Sequence, residues 1–219
     1  MAAEISPTRG RFITVEGGEG AGKSTQVELL LKALSGIGIN AQCTREPGGS
    51  DGAEAIRALL LEGATDRWDA IGEALLLNAA RRDHVFRQIK PALDGGAWVI
   101  CDRFADSTLA YQGYGRGLPR ANLQALHRLA IGDFVPDLTL ILDLPVAEGL
   151  ARAARRSGTG DRFERLGRDF HERMRQGFLS IAAENPDRCV VIDAVGTRDL
   201  VHHAVLAVVS ERLGIGFSR

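Results

Sequence analysis

The sequence predicts a three-layer α/β fold, with a five-stranded parallel sheet flanked by helices, and three observations carry that prediction. Short apolar runs alternate with longer helical patterns along the 219 residues, the layout of a parallel sheet wrapped by helices. Several of the runs are nearly free of polar residues, as strands covered on both faces are. Between the first run and the first helix stands Gly17-Gly18-Glu19-Gly20-Ala21-Gly22-Lys23-Ser24, which fits GxxxxGK[ST] and makes this the P-loop, nucleoside-triphosphate-binding version of the fold.

The expected strands are Phe12–Val15, Ala41–Thr44, Trp98–Cys101, Leu138–Leu142 and Cys189–Ile192. Helices are expected to begin near Lys23, Asp51, Trp68, Arg120, Val146, Arg162 and Arg198. Gly36-Ile37-Gly38 and Asp94-Gly95-Gly96 are helix-stop signals placed just before strands. Residues 155–161 interrupt a helical region with small and charged residues and read as a mobile lid, and residues 1–10 as a flexible N-terminus. No repeat, low-complexity tract or linker divides the chain, so residues 1–219 read as one domain.

Apolar residues make up 45% and charged residues 25%, enough for a sizeable core. A net charge of −1 argues against a nucleic-acid or membrane-surface partner, since both need a basic excess. The cations are unevenly chosen: 24 are Arg and three are Lys (Lys23, Lys32, Lys90), and ten of the Arg lie between Arg152 and Arg198. Guanidinium groups grip phosphate and carboxylate oxygens in forked geometry, which suits an acidic small-molecule substrate. Cys43, Cys101 and Cys189 are widely spaced, each in or beside an apolar run, and read as core thiols of a cytoplasmic protein without disulfides. No segment reaches the roughly 18 apolar residues of a membrane span.

The glycines of residues 17–25 let successive backbone N–H groups converge on an anion, and the helix start adds partial positive charge. Gly17, Gly18, Glu19, Gly20, Ala21, Gly22, Lys23, Ser24 and Thr25 are therefore the expected ATP-binding residues. Lys23 would reach the β- and γ-phosphates, and the Ser24 hydroxyl would ligate Mg²⁺. None of the four Asn is followed by Lys, so the base-reading NKxD of GTPases is missing. The third strand ends Cys101-Asp102-Arg103 rather than Asp-Glu, which supplies a carboxylate near the metal and a guanidinium facing the cleft, as a kinase needs. Ligands of open parallel sheets bind outside the carboxyl ends of the strands. Glu19, Arg45, Glu46, Asp102 and Arg103 all fall there.

With these residues in view, the chain resembles bacterial thymidylate kinases over residues 11–213. The shared segments are FITVEGGEGAGKST (12–25), TREPGG (44–49), NAARRDHV (78–85), DRFADSTLAYQG (102–113), PDLTLILDL (136–144) and DRFE (161–164). The resemblance implies transfer of the ATP γ-phosphoryl group to dTMP with Mg²⁺, in a cytoplasmic homodimer whose face could include Ile71–Ala80. It implies that Glu19 approaches the sugar 3′-hydroxyl or the metal, which Ser24 and Asp102 also hold. Arg45 and Arg103 would hold the dTMP phosphate, with Glu46 positioning one of them or the metal shell. Arg81 would donate to thymine O4, Tyr111 would crowd the sugar C2′, and Thr108 and Gln112 would contact the base. Where the family usually has a Phe stacked on thymine, this chain has Leu77. Gly20 stands where one branch of the family carries a catalytic arginine. The other branch supplies it from the lid, so Arg155 or Arg156 is expected to serve, with Arg152 and Arg162 behind them.

On this reading the catalytic set is Lys23, Arg103, Arg155, Arg156 and Glu19. The five His residues (His84, His127, His171, His202, His203) form no catalytic constellation, in keeping with an acceptor phosphate that is already ionised. Two other readings remain open at this stage: a kinase for another or a broader set of nucleoside monophosphates, and a nucleotide-binding regulator that transfers nothing.

Overall fold

The computed structural model describes residues 9–155 and 162–217. Five strands, β1 (Phe12–Gly17), β2 (Ala41–Arg45), β3 (Trp98–Asp102), β4 (Leu138–Asp143) and β5 (Cys189–Asp193), form one parallel sheet in the order β2-β3-β1-β4-β5. Each strand runs one or two residues past its apolar run, because the strand ends carry the polar groups that line the crevice.

The helices are α1 (Lys23–Gly36), α2 (Asp51–Leu61), α3 (Ala70–His84), α4 (Lys90–Asp94), α5 (Ala105–Thr108), α6 (Arg120–Ile131), α7 (Val146–Ala154), α8 (Arg168–Glu184) and α9 (Arg198–Leu213). A π-helical stretch, Val85–Ile89, carries α3 into α4, and a second, Leu109–Gly115, extends α5. Local chemistry explains several ends. Asp69 Oδ1 accepts from Gly72 N–H at 2.6 Å and caps α3, so the helix begins after Trp68 rather than at it. Thr197 caps α9 in the same way at 3.3 Å. The helix expected from Arg162 begins instead at Arg168, because Arg162 is drawn into the interior by partners described below.

Alternate strand residues feed the two faces. Ile13, Val15, Ile100, Leu140 and Leu142 pack under Leu30 and Leu34 of α1 and Val201, Val205 and Val209 of α9. On the opposite face, Phe12, Val99 and Cys101 meet Val85, Ile89, Leu93 and Phe104, while Ile141 meets Phe170, Met174 and Phe178 of α8. Cys101 and Cys189 are buried as expected, but Cys43 is exposed. The reason is topological: β2 is an edge strand, and three of its residues, Gln42, Cys43 and Arg45, are open to solvent. Gly10, grouped above with the flexible terminus, is buried and donates its N–H to Leu93 O at 2.8 Å. Among the described residues no helix is long and apolar enough to cross a membrane.

Candidate active site

The phosphate loop leaves β1 at Gly17 and enters α1 at Lys23. Gly20 has φ +68°, and a Cβ there would lie 2.1 Å from Gly149 O of α7. The loop is thus pressed backbone to backbone against α7, which leaves no space for a side chain at position 20. An arginine at position 20 would have to displace that backbone. Lys23 is buried and donates from Nζ to Gly18 O at 2.7 Å. Burial, with Arg103 nearby, lowers its ammonium to about 8, against the pull of Glu19, Asp102 and Glu16. Ser24 Oγ donates to Asp102 Oδ2 at 2.5 Å, so the hydroxyl that opens α1 and the carboxylate that ends β3 sit together.

Arg103 follows directly and is the sole non-glycine residue with positive φ (69°) among the described residues. Its Nη1 donates to Gly17 O at 3.0 Å and Ser107 Oγ at 3.3 Å, and its Nη2 to Glu19 Oε1 at 2.9 Å. Glu19 Oε1 also accepts from the Tyr111 hydroxyl at 2.5 Å. Burial would raise the Glu19 carboxyl, but Arg103, Lys23 and the Tyr111 hydroxyl outweigh it and hold the group at about 2.

A second cluster lies between β2, α3 and α5. Glu46 is buried and accepts from Arg81 Nε at 2.8 Å, with His84 Nδ1 at 3.2 Å from its other oxygen. Arg81 Nη2 donates to Thr108 Oγ1 at 2.9 Å and Phe104 O at 3.2 Å. Gln112 is fully buried, donates to Glu73 Oε2 at 2.8 Å, and has no partner for its own Oε1. Glu73, also fully buried, takes Arg116 at 2.6 Å and Arg162 at 2.7 Å on its other oxygen. Arg45 is more exposed and forks onto both oxygens of Glu54 at 3.0 and 3.2 Å.

One cavity of about 400 Å³ joins these parts. Its wall includes Glu19, Gly20, Gly22, Lys23, Ser24 and Thr25, Arg103 bonded to that loop, and Arg45, Glu46 and Arg81. Leu77, Asp102, Thr108, Tyr111 and Gln112 also line it. Most of the residues expected at the site are therefore gathered around a single space. Gly17, Gly18 and Ala21 are not on its wall; the first two offer carbonyls to Arg103 and Lys23, and Ala21 is buried. Of the arginines expected from the lid, Arg152 lines the cavity and bonds Glu148 at 2.5 Å. Arg155 sits exposed at the C-cap of α7 and does not line it. Arg156, with the rest of the expected lid up to residue 161, lies outside the described residues. Arg162 is fully buried, held by Leu60 O, Thr65 O and Glu73, and is no reserve for the cavity.

Several residues on or behind this wall escape a reading of the sequence. Arg57, Ser107 and Phe163 line the cavity, and Glu16, Glu73 and His84 support it from behind. Only position offered a signal: Glu16 directly precedes the phosphate loop at a strand end, and Phe163 falls within the DRFE segment.

A phosphate loop at the start of α1, facing a second array of guanidiniums across one cavity of the sheet's carboxyl edge, defines a P-loop phosphotransferase of the nucleoside-monophosphate kinase class. Comparison with known proteins narrows the class. The family profile described as thymidylate kinase matches residues 15–205. The chain is 56% identical over 208 residues to a thymidylate kinase of Caulobacter vibrioides, covering 95% of this chain and all of that protein. It is 53% identical to one from Afipia carboxidovorans, covering 97% and 90%. The crystal structure of thymidylate kinase from Ehrlichia chaffeensis superposes with a TM-score of 0.75 at 39% identity, covering 92% of this chain and 99% of the other. The chain belongs to the thymidylate kinase family.

Proposed function

We propose that this protein transfers the γ-phosphoryl group of ATP to dTMP, giving dTDP and ADP, in the supply of dTTP. The observation that carries this reading is the one cavity lined both by the phosphate loop, with Arg103 bonded to it, and by Arg45 and Arg81. Two nucleotides can meet there phosphate to phosphate. In-line transfer between phosphates asks for positioning and charge neutralisation rather than a strong base. The loop from Gly17 to Thr25 holds the ATP phosphates with Lys23. Arg103 and Arg45 hold the acceptor phosphate, and Glu19 orients Arg103 and the sugar. Arg155 or Arg156 contributes further positive charge to the transferring group, as the resemblance implies.

The hard oxygen donors Ser24, Asp102 and Glu19 fit Mg²⁺, which takes one or two carboxylates and leaves its remaining positions to water and phosphate. When bound, Mg²⁺ would supply positive charge against the transferring phosphate.

At the base end, Arg81 can only donate, and its Nε and Nη2 are already engaged with Glu46 and Thr108. A guanidinium so fixed favours a base edge with a carbonyl oxygen, such as thymine O4, over the amino group of cytosine. Tyr111 limits space near the sugar, and Leu77 covers part of the base. The same reading includes a cytoplasmic homodimer. The half-exposed Ile71 (53%) and Leu75 (51%), one turn apart on α3, support that face for the contact.

The test is ADP release with ATP and Mg²⁺ across dTMP, dUMP, dCMP and dGMP. Turnover of dTMP above dCMP and dGMP is expected, and Lys23→Ala should abolish it. Equal turnover of all four would favour the second reading, a broader monophosphate kinase, which the leucine at position 77 supports. A protein that holds ATP but leaves every acceptor unchanged would be a regulator instead.

A further inference from the structure

Arg103 is held in a left-handed backbone conformation (φ 69°) that a residue with a side chain adopts only when its surroundings enforce it. The backbone of Arg103 itself donates to Val15 O at 3.0 Å and accepts from Cys101 Sγ at 3.0 Å, and one side chain holds the segment that follows it. Glu16, fully buried near the end of β1, accepts at Oε1 from Phe104 N–H at 2.8 Å and from Ser107 N–H at 3.3 Å. These amides open the chain segment immediately after Arg103. Its other oxygen, Oε2, accepts from the Ser107 hydroxyl at 2.6 Å. A hydroxyl has a single proton. With that proton committed to Glu16, the Ser107 oxygen presents a lone pair to Arg103 Nη1, 3.3 Å away.

We propose that Glu16 is a positioning residue for Arg103, clamping the turn that carries it and aiming the Ser107 oxygen at its guanidinium. Glu16 does not line the cavity, so it acts through Arg103 rather than on either nucleotide. Its location is a poor one for stability alone. Burial and the neighbouring Asp106 raise its carboxyl to about 7, with Ser107, Arg103 and the Phe104 N–H pulling the other way. A carboxylate kept at such a place is one retained for what it holds.

The inference rests on the proposed role of Arg103 in phosphoryl transfer, and the experiment separates the two. Steady-state kinetics are measured with ATP and dTMP for the full chain and for Glu16→Gln, Ser107→Ala, Arg103→Lys and Glu16→Gln/Arg103→Lys. Glu16→Gln is expected to lower kcat roughly 10- to 100-fold with the KM for ATP within about twofold, and Ser107→Ala to lower kcat roughly 3- to 10-fold. In the Arg103→Lys background, Glu16→Gln should add less than about a twofold further loss, because its route of action is already broken. A Glu16→Gln kcat within twofold of the parent, or a full extra loss in the Arg103→Lys background, overturns the proposal. Should Glu16→Gln fail to melt cooperatively, Ser107→Ala decides, and an unchanged kcat overturns it. Failure of the unmodified chain to phosphorylate dTMP would instead remove the reading of function on which the proposal stands.

Discussion

The Tyr111 hydroxyl and Arg103 Nη2 converge on one oxygen of Glu19, at 2.5 and 2.9 Å. The same tyrosine ring packs edge-on against Phe163 and Phe170, at centroid distances of 5.7 and 5.9 Å. Its two functions can be separated. Tyr111→Phe keeps the ring and removes a hydrogen bond to a charged acceptor, a contact worth about 1.5–3 kcal/mol. It is expected to lower kcat/KM for dTMP by roughly 10-fold while leaving discrimination against the ribonucleotide acceptor intact. Tyr111→Ala should lose both. Kinetics with dTMP and ribothymidine monophosphate check this, and unchanged discrimination in the alanine variant would reduce Tyr111 to a packing residue.

Two glutamates three residues apart titrate in opposite directions, which gives the protein a pH signature. Glu19 is held at about 2, so its contribution to stability is complete above pH 4.5 and is lost as pH falls towards 2. Glu16 is raised to about 7, so between pH 4.5 and 7 the folded chain binds more protons there than the unfolded chain, and stability falls as pH rises through that window. Gln at position 16 cannot titrate. Relative to Glu16→Gln, the parent should lose about 2–3 kcal/mol of unfolding free energy between pH 5 and pH 8, read by urea titration at each pH. A difference that stays constant with pH would show that Glu16 titrates normally.

The contrast between these glutamates also marks what the sequence could convey. The strands were legible because burial on both faces forces apolar runs, as in Leu138-Thr139-Leu140-Ile141-Leu142, and the phosphate loop because its chemistry needs fixed residues at fixed spacing. The segment Ala105–Gly115 was not legible as helix. It contains three glycines or serines and two tyrosines and owes its form to Glu16, 88 residues from Phe104, and to packing on α8. Arg162 was expected as a reserve catalytic arginine, and its burial was not legible because its partner Glu73 is 89 residues away. Cavity residues follow local rules, whereas the groups that hold them depend on contacts with no local trace. Cys43 failed for a related reason, since strand order, which decides what is an edge, is not written in any one strand.

Glu46 and Arg81 pair with side-chain exposures of 4% and 2%, so each charge depends on the other. Removing one partner of a buried pair typically costs about 3–5 kcal/mol, because the remaining charge is left uncompensated. Glu46→Ala is expected to destabilise on that scale and to raise the KM for dTMP, since Arg81 loses the group that fixes it. The double variant Glu46→Ala/Arg81→Met should recover part of the stability but none of the preference for dTMP over dCMP. Urea midpoints and acceptor kinetics for the two variants test this, and a double variant no more stable than Glu46→Ala alone would mean that the pair is not the source of the loss.

Leu77 lines the cavity on α3, four residues before Arg81, at the position where the family usually has phenylalanine. Leucine can cover a base face but lacks the ring quadrupole, and an aromatic pair adds about 0.5–1.5 kcal/mol beyond its buried area. Leu77→Phe is therefore expected to lower the KM for dTMP by roughly 2- to 10-fold. Stacking on the base is the same in the ground and transition states, so kcat should stay within about twofold, as should the KM for ATP. The opposite result would also be informative. Phe163 lines the same cavity, its ring 5.7 Å from that of Tyr111. If Leu77→Phe raised the KM for dTMP, the base face would already be covered from that side, and the leucine would be there to leave room for it.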